Sequence, residues 1–123
     1  MEESVGASYF NIFANETDVS EFAPGADVFR EGDPADCLYV IHSGRVRIHD
    51  GERELETLEP GAIFGEMALV DGSPRSATAT AIDAVTLVRL DEHRFQMLVQ
   101  KTPYFVQEVM RVMAKRLRRS TEA

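Results

Sequence analysis

Short stretches in which apolar and polar residues alternate fill the middle of the chain, from Ser20 to Leu90. Pro-Gly, Ser-Gly, Asp-Gly and Gly-Ser pairs separate these stretches every several residues. Within Arg45 to His49, for example, Val46 and Ile48 alternate with polar residues, as in a strand with one buried and one wet face. The pattern predicts an antiparallel sheet sandwich or roll over this segment.

Two pairs of neighbouring strands are expected inside the roll, one around Ser43-Gly44 and one around residues 82–84. The four runs are Cys37 to His42, Arg45 to His49, Ala77 to Ala81 and Val85 to Leu90. A Pro-Gly-Ala turn that leads into an apolar strand occurs twice, over residues 22–29 and 58–64. This internal similarity favours two layers of sheet, although it is too weak to indicate a repeat array.

Helical patterns flank the roll on both sides. An apolar cluster near the N-terminus (Tyr9, Phe10, Ile12 and Phe13) predicts a short helix that packs on the main body. Asp91 is a good N-cap for a helix from about Glu92 to Gln100, and Thr102 caps a second helix that starts at Pro103. The last helix carries two apolar stripes, Phe105, Val109 and Val112 on one and Val106, Met110, Met113 and Leu117 on the other. The second stripe has the 4, 3, 4 spacing of a coiled-coil seam, so a homodimer and a helix buried on its own domain both stay open.

The fold class is therefore α+β and mainly β: an antiparallel jelly-roll-like β-roll with short helices around it. A length of 123 residues and a hydrophobic content of 44% suit a single domain over 1–123. Its parts are an N-terminal helical segment (1–20), the roll (21–90) and the C-terminal helices (91–123).

Composition narrows the classes of partner. A net charge of −8 argues against a surface for nucleic acid or anionic lipid, which require a basic footprint. Basic residues at the end of the last helix are explained by the helix dipole. No signal peptide or apolar run of membrane-spanning length is present, so we expect a soluble, cytoplasmic protein. The single cysteine, Cys37, suits a reducing compartment, and we expect it to be buried and inert because no basic residue lies near it in the sequence.

Candidate chemistry is concentrated in FGEMALVDGSPRSATATA, Phe64 to Ala81. Gly65 to Leu69 can form one helical turn whose NH groups point at an anion. Arg75 adds a planar fork that fits two phosphate oxygens, and the small residues after it let the backbone approach a ligand. Glu66 would repel a phosphate, so it suits the far end of a ligand, where it accepts a hydrogen bond from a hydroxyl. The stretch favours a molecule with a phosphate at one end and a sugar hydroxyl nearby.

The same residues resemble the phosphate-binding cassette of the cyclic nucleotide-binding domain family, in the segments Phe64 to Leu69 and Pro74 to Thr78. That family includes bacterial catabolite-activator-type regulators, cyclic-nucleotide-gated channels and regulatory subunits of cyclic-nucleotide-dependent kinases. The resemblance extends over Pro24-Gly25, Phe29 to Asp33 and Tyr39 to Gly44, and over the helices from Asp91 to Leu117. It implies a stand-alone, bacterial-type sensor domain whose β-roll binds a cyclic nucleotide.

Site residues follow from the resemblance position by position. It implies that Arg75 pairs with the cyclic phosphate and Glu66 with the ribose 2′-hydroxyl. The wider ligand set is Gly65, Met67, Ala68, Ser76 and Ala77, with Ile63 and Thr78 as walls of the base pocket and Leu117, Arg118, Ser120 and Thr121 as lid residues of the C-terminal helix. The hydroxyl of Ser76 fits cyclic AMP sensors and cyclic GMP sensors alike. We favour cyclic AMP, with cyclic GMP as the alternative and no cofactor.

Other functions are less well supported by the sequence. The three histidines (His42, His49 and His93) lack the spacing of a metal site, which leaves a cupin-like metal enzyme as a remote alternative. No nucleophile elbow, catalytic triad or carboxylate pair is evident, so no catalysis is expected. Because no DNA-binding helices follow the last helix, the output is expected to be an unidentified protein effector. If the chain is a fragment, a DNA-binding regulator or a gated channel is the alternative.

Overall fold

The computed structural model describes Phe13 and residues 16–121, with the side chains of Ala68, Val70, Arg119, Ser120 and Thr121 left out of the description. In chain order the elements are β1 (Ser20–Phe22), β2 (Asp27–Phe29), β3 (Cys37–Ser43), β4 (Val46–Asp50), β5 (Arg53–Leu58), β6 (Ile63–Phe64), α1 (Met67–Asp71), β7 (Thr78–Ala81), β8 (Val85–Asp91), α2 (Glu92–Lys101) and α3 (Pro103–Thr121). The expected arrangement of a β-roll followed by two helices is confirmed.

The strands form two four-stranded antiparallel sheets, in the orders β1-β8-β3-β6 and β2-β7-β4-β5. Apolar side chains from both sheets fill the space between them. This cluster contains Ile41, Val46, Leu58, Phe64, Ala79, Ala81, Val85 and Leu87. Burial of these alternating side chains selects the two-layer roll, because each sheet hides its apolar face against the other.

The expected strand pairs were wrong, although the strands themselves are present. Strand β3 pairs with β6 and β8, whereas β4 pairs with β5 and β7, so the chain changes sheet at Gly44. It changes sheet again between β7 and β8. The two corners support each other: Arg45 forms an ion pair with Asp83 through bonds of 2.9 and 3.1 Å, and a Cβ atom on Gly44 would collide with the carbonyl oxygen of Ala84. Alternation identifies strands, but this corner packing decides their partners.

The two Pro-Gly-Ala turns, whose similar sequences favoured two layers of sheet, make similar hydrogen bonds. Gly25 and Gly61 take φ angles of 85° and 92°, in the left-handed region that favours glycine. The NH of Gly25 donates to the carbonyl of Ala81 at 2.8 Å. The NH of Gly61 donates to the carbonyl of Ile41, also at 2.8 Å. Each turn therefore attaches the start of a strand to the middle of the roll.

Helix boundaries agree closely with the capping signals. The carboxylate of Asp91 accepts a 2.9 Å hydrogen bond from the NH of Arg94, which makes Asp91 the N-cap of α2. Helix α2 ends at Lys101, one residue later than expected, and Thr102 closes it by donating its NH to the carbonyl of Leu98. Helix α3 then begins at Pro103, as predicted.

Helix α3 packs against the roll through the first of its two apolar stripes. Phe105, Val109 and Val112 are each at most 4% exposed and join the core beneath α2 and β8. The ring of Phe13 meets Phe105 edge to face, and the rest of the predicted N-terminal helix lies outside the described residues. On the second stripe, Met110 remains 62% exposed. The first stripe therefore lies inside the domain, whereas the second is divided: Met113 packs against the same core, and Met110 and Leu117 face outwards.

Candidate functional site

A sharp turn joins β6 to α1 and begins the candidate site. Gly65 has a φ of 78°, so the helix cannot include it and starts at Met67 instead of at Gly65 as expected. Glu66 lies between the turn and the helix, and its side chain is only 3% exposed. The turn also leaves the carbonyl oxygen of Gly65 available to Arg75.

Arg75 is held by backbone oxygens from two distant parts of the chain. Its Nη1 donates to the carbonyl of Gly65 at 3.0 Å, and its Nη2 donates to the carbonyl of Cys37 at 2.8 Å. The residue is 7% exposed, and no hydrogen-bond partner is found for its Nε. A buried guanidinium with an unsatisfied N–H and no carboxylate among these partners is chemically suited to bind an anion.

Aromatic rings complete the surroundings of this cation. The Cζ atom of Arg75 lies over the ring of Phe29, 4.1 Å from its centroid, and 5.9 Å from the ring of Tyr39. Tyr39 in turn stacks on Phe64 with centroids 5.4 Å apart. Burial, assisted by a hydrogen bond to Cys37, raises the pKa of Tyr39 to about 12, so its hydroxyl stays neutral at physiological pH. The fixed positive charge here is that of the arginine.

Glu66 pairs with a residue of the C-terminal helix. Arg116 of α3 donates through Nη1 to both carboxylate oxygens of Glu66, at 2.8 and 3.0 Å. Its Nη2 donates to the carbonyl of Ile63 at 2.8 Å, and its Nε donates to Glu56 at 3.2 Å. One side chain of α3 thus connects the cassette with strands β5 and β6.

Sequence reasoning missed Arg116, although a signal for it was present. In a helix, residues three or four apart lie on one face, and Arg116 is four residues after the buried Val112. A cation that continues a buried stripe needs an acidic or carbonyl partner. The helix dipole, which explains basic residues at the end of a helix in general, does not account for the contacts of Arg116.

The remaining predicted ligand residues lie in different environments. Ala77 is buried, Ser76 and Met67 are exposed, and Ala68 is described only through its backbone in α1. Thr78 is half-buried, and its hydroxyl accepts a 3.0 Å hydrogen bond from the NH of Glu31. The side chain of Ile63 packs in the core, so it does not offer an open wall to a base.

The predicted lid residues lie along the last turns of α3. Leu117 is 65% exposed, and Arg118 is exposed as well. Ser120 and Thr121 belong to the helix, but their side chains lie outside the described residues. Arg116, the residue just before the predicted lid residues, donates hydrogen bonds to Glu66 of the cassette.

The surroundings of Cys37 differ from the expectation in one respect. The thiol is buried, as predicted, at 1% exposure. A basic group nevertheless lies beside it, because Nη2 of Arg75 is 3.7 Å from the sulfur. The assumption of no basic neighbour failed because Arg75 approaches from 38 residues away in the sequence.

Two of the three histidines, His42 and His49, have hydrogen-bond partners in the roll. Nδ1 of His42 lies 3.2 Å from the hydroxyl of Thr86, and Nε2 of His49 lies 2.8 Å from that of Thr80. Over residues 16–121 and Phe13, no three His, Cys, Asp or Glu side chains converge as a metal ion would require. Within that same part of the chain, neither the length nor the apolar content of any helix suffices to cross a membrane.

Two surface clefts, with volumes of about 760 and 820 Å³, are not lined by Arg75 or Glu66, although the second is lined by Leu69 and Gly72 of the cassette segment. Both are lined by Arg89, Asp91 and His93 near the start of α2. Arg89 there pairs with Asp36 at 3.2 Å. The cassette is the stronger candidate site because its arginine keeps an unsatisfied donor.

Comparison with known proteins agrees with this geometry. The model of the cyclic nucleotide-binding domain matches residues 19–102. A CRP-like cAMP-activated global transcriptional regulator of Mycobacterium tuberculosis is 38% identical over 105 residues, covering 81% of this chain and 47% of the regulator. The chain therefore spans about half the length of the curated relatives it matches.

Solved structures agree as well. The Thermus thermophilus catabolite activator protein superposes with a TM-score of 0.79 at 27% identity, over 97% of this chain and 58% of that one. The EAL enzyme Bd1971 in its cGMP-bound form superposes with a TM-score of 0.67 at 38% identity, over 85% of this chain and 29% of the enzyme.

Proposed function

The chain belongs to the cyclic nucleotide-binding domain family, and we propose that it is a non-catalytic sensor that binds cyclic AMP through residues 64–81. The observation that carries the proposal is the buried guanidinium of Arg75, whose Nε lacks a partner. A cyclic phosphate is a singly charged anion that supplies the missing acceptor. Binding of the cyclic phosphate would offset the free-energy cost of burying the charged arginine.

The sugar of the nucleotide is assigned to Glu66. A carboxylate offers about four acceptor positions, and Arg116 uses two of them. A ribose 2′-hydroxyl can therefore donate to Glu66 while the ion pair persists. A hydrogen bond to a carboxylate is stronger than one to a neutral acceptor.

Base preference depends on Ser76, which is exposed at the edge of the cassette. Its hydroxyl can bind either the phosphate or the amino group of guanine. Cyclic AMP is favoured because the 38% identical regulator is described as cAMP-activated. Cyclic GMP is the alternative, and the cGMP-bound form of Bd1971 is the observation that supports it.

We assign the transmission of the binding signal to helix α3. A ligand that contacts Glu66 changes the carboxylate that holds Arg116, and so changes the stability of the docked helix. We propose that a separate protein effector in the cytoplasm recognises this change. The exposed residues of the second stripe, Met110 and Leu117, offer a seam for a homodimer, in which one copy supplies lid residues to the other.

A second candidate is the sensor piece of a DNA-binding regulator. It is favoured because the match covers only 47% of the M. tuberculosis regulator. Sequencing of the intact protein isolated from cells separates the two: additional helices after α3 would favour this candidate over the separate effector. The nucleotide site is the same in both cases.

Calorimetric titration with cyclic AMP and cyclic GMP tests the binding proposal. Wild type should bind cyclic AMP more tightly, and Arg75→Ala should lose about 10- to 150-fold in affinity, the equivalent of a charged hydrogen bond. Arg47→Ala is the matched control because it removes an arginine from an exposed ion pair on β4. No binding to wild type would refute the proposal, and equal binding to wild type and Arg75→Ala would place the site elsewhere. Release of nucleoside monophosphate would refute the absence of catalysis.

A further inference from the structure

Three contacts fix the guanidinium of Arg75, and they act in different directions. The bonds from Nη1 and Nη2 to the carbonyls of Gly65 and Cys37 fix the two outer nitrogens. Those two bonds leave the group free to tilt about the line that joins the nitrogens. The ring of Phe29, 4.1 Å from Cζ, lies against the face of the group and blocks that tilt on one side.

We propose that Phe29 is a positioning residue of the anion site, which it serves by holding the plane of the Arg75 guanidinium in one orientation. The inference rests on the proposed function for its link to nucleotide affinity. The first part of the inference, that Phe29 orients the Arg75 guanidinium, concerns the ligand-free protein and rests on geometry alone. Phe29 itself need not touch the nucleotide.

The ring of Phe29 is suited to this role because it is itself immobilised. It stacks on Tyr39 with centroids 6.2 Å apart and meets Phe64 at 5.9 Å. Its backbone lies at the end of β2, paired with Ala79 of β7. A side chain held by two rings and a strand can transmit that rigidity to Arg75.

Phe29, and not Tyr39, makes the close contact. The centroid of the Tyr39 ring is 5.9 Å from Cζ of Arg75, near the outer limit of about 6 Å for a cation–π contact, whereas the centroid of the Phe29 ring is at 4.1 Å. Gly65 completes the arrangement, since a Cβ atom there would approach Nη1 of Arg75 to 2.6 Å and the Phe29 ring to 3.5 Å. The Phe29 ring, the turn at Gly65 and the Arg75 guanidinium are therefore closely packed.

Orientation matters because a guanidinium binds phosphate through N–H groups that point along its plane. An arginine that tilts must be reordered each time an anion binds, and this lowers affinity. The unsatisfied Nε of Arg75 is the donor most affected, since its partner is expected to come from the ligand.

The test compares Phe29→Leu with Phe22→Leu. Both phenylalanines are half-buried and pack against the same core cluster, but of the two it is Phe29 whose ring lies against the Arg75 guanidinium. Phe29→Tyr keeps the ring and serves as the rescue variant. Order of the Arg75 Nε–H group is measured by 15N relaxation in the ligand-free proteins, with the signal assigned through Arg75→Lys. Affinity for cyclic AMP is measured by calorimetry on the same samples.

We expect Phe29→Leu to lower the order parameter of the Arg75 Nε–H group and to weaken cyclic AMP binding by about 3- to 30-fold, the range of a cation–π contact. Phe29→Tyr and Phe22→Leu should match wild type in both measurements. An unchanged Arg75 signal in Phe29→Leu, or an equal loss in Phe22→Leu, would overturn the inference.

Failure of the proposed function gives a different result. If wild type binds neither nucleotide while Phe29→Leu still disorders Arg75, the binding proposal fails and the positioning role stands. If Phe29→Leu disorders Arg75 without weakening cyclic AMP binding, the positioning role in recognition is refuted.

Discussion

Arg116 of α3 donates two hydrogen bonds, of 2.8 and 3.0 Å, to the carboxylate of Glu66 in the cassette. The two residues are 50 positions apart in the sequence. Glu66 is 3% exposed and Arg116 is 25% exposed, so the pair is only partly screened by water. The last helix and the proposed sugar-binding residue are therefore connected by one ion pair, and the two should respond to each other.

Arg116→Ala should loosen α3 from the roll. The substitution leaves the carboxylate of Glu66 buried without its cation, which should lower the free energy of unfolding by about 1 to 3 kcal/mol. Amide hydrogen exchange in Pro103–Thr121 should become faster before the roll itself opens. Lys115→Ala, at the exposed neighbouring position, is the control. Exchange rates in α3 equal to those of wild type would show that the ion pair does not hold the helix.

Glu66→Gln should remove discrimination between ribose and deoxyribose. Wild type should bind cyclic AMP about 10- to 150-fold more tightly than its 2′-deoxy analogue, because the hydroxyl donates to a charged acceptor. In Glu66→Gln the preference should fall to about tenfold or less, as for a neutral hydrogen bond. Calorimetric titration of both ligands into both proteins gives the four affinities of a complete thermodynamic cycle. A preference that is the same in the two proteins would place the hydroxyl elsewhere.

Gly65→Ala should weaken nucleotide binding by displacing Arg75. The new Cβ would approach Nη1 of Arg75 to 2.6 Å, and the φ of 78° adds strain of about 1 to 2 kcal/mol. Gly51→Ala provides the control, since Gly51 has a φ of 64° with no atom within 4 Å of the new Cβ. Both variants should lose stability in urea unfolding through the strain at positive φ, and Gly65→Ala should lose more because its Cβ also collides with Arg75. Only Gly65→Ala should also lose affinity, and an equal affinity in the two variants would contradict this prediction.

Acid should destabilise the protein partly through Asp27. Hydrogen bonds from Thr80 and then from Arg30 lower the pKa of this carboxyl below its ordinary value of 3.8. A carboxyl whose pKa is lower in the folded state stabilises the fold above the ordinary pKa, and this contribution is lost as pH falls from about 4 through the folded value. Asp27→Asn should therefore show a shallower fall in the free energy of unfolding below pH 4.

Urea unfolding between pH 7 and pH 2.5 measures that slope. Asp50→Asn, which removes an exposed carboxylate at the end of β4, is the comparison variant. A profile for Asp27→Asn that parallels wild type over the acid range would rule out this source of acid sensitivity.

Met110→Glu should dissociate the proposed homodimer. Met110 is 62% exposed on the outer stripe of α3, and placing a carboxylate in an apolar seam costs at least about 2 kcal/mol, or 30-fold in the dissociation constant. Met97→Glu is the matched control, since Met97 is a 41% exposed methionine on α2. Sedimentation equilibrium should give a dimer for wild type and Met97→Glu and a monomer for Met110→Glu. A monomeric wild type would refute the dimer.

Much of the fold could be predicted from local chemistry. The cap at Asp91, the start of α3 at Pro103 and the buried stripe through Phe105 all depend on residues within a few positions of one another. The strands could be predicted because the alternation of apolar and polar residues is also a local property. The pairing of the strands could not be predicted, because the chain changes sheet at Gly44 and pairing depends on which corners pack together.

The sequence by itself determined the cassette: a glycine, an acidic residue beside it and an arginine after a proline turn are properties of one contiguous segment. Only the tertiary structure decided what surrounds those charges. Phe29, Cys37 and Arg116 reach the cassette from β2, β3 and α3, across separations of 38 to 50 residues. Long-range packing is set by the burial of whole faces, so a linear pattern can indicate that a charge will need partners without indicating which residues provide them.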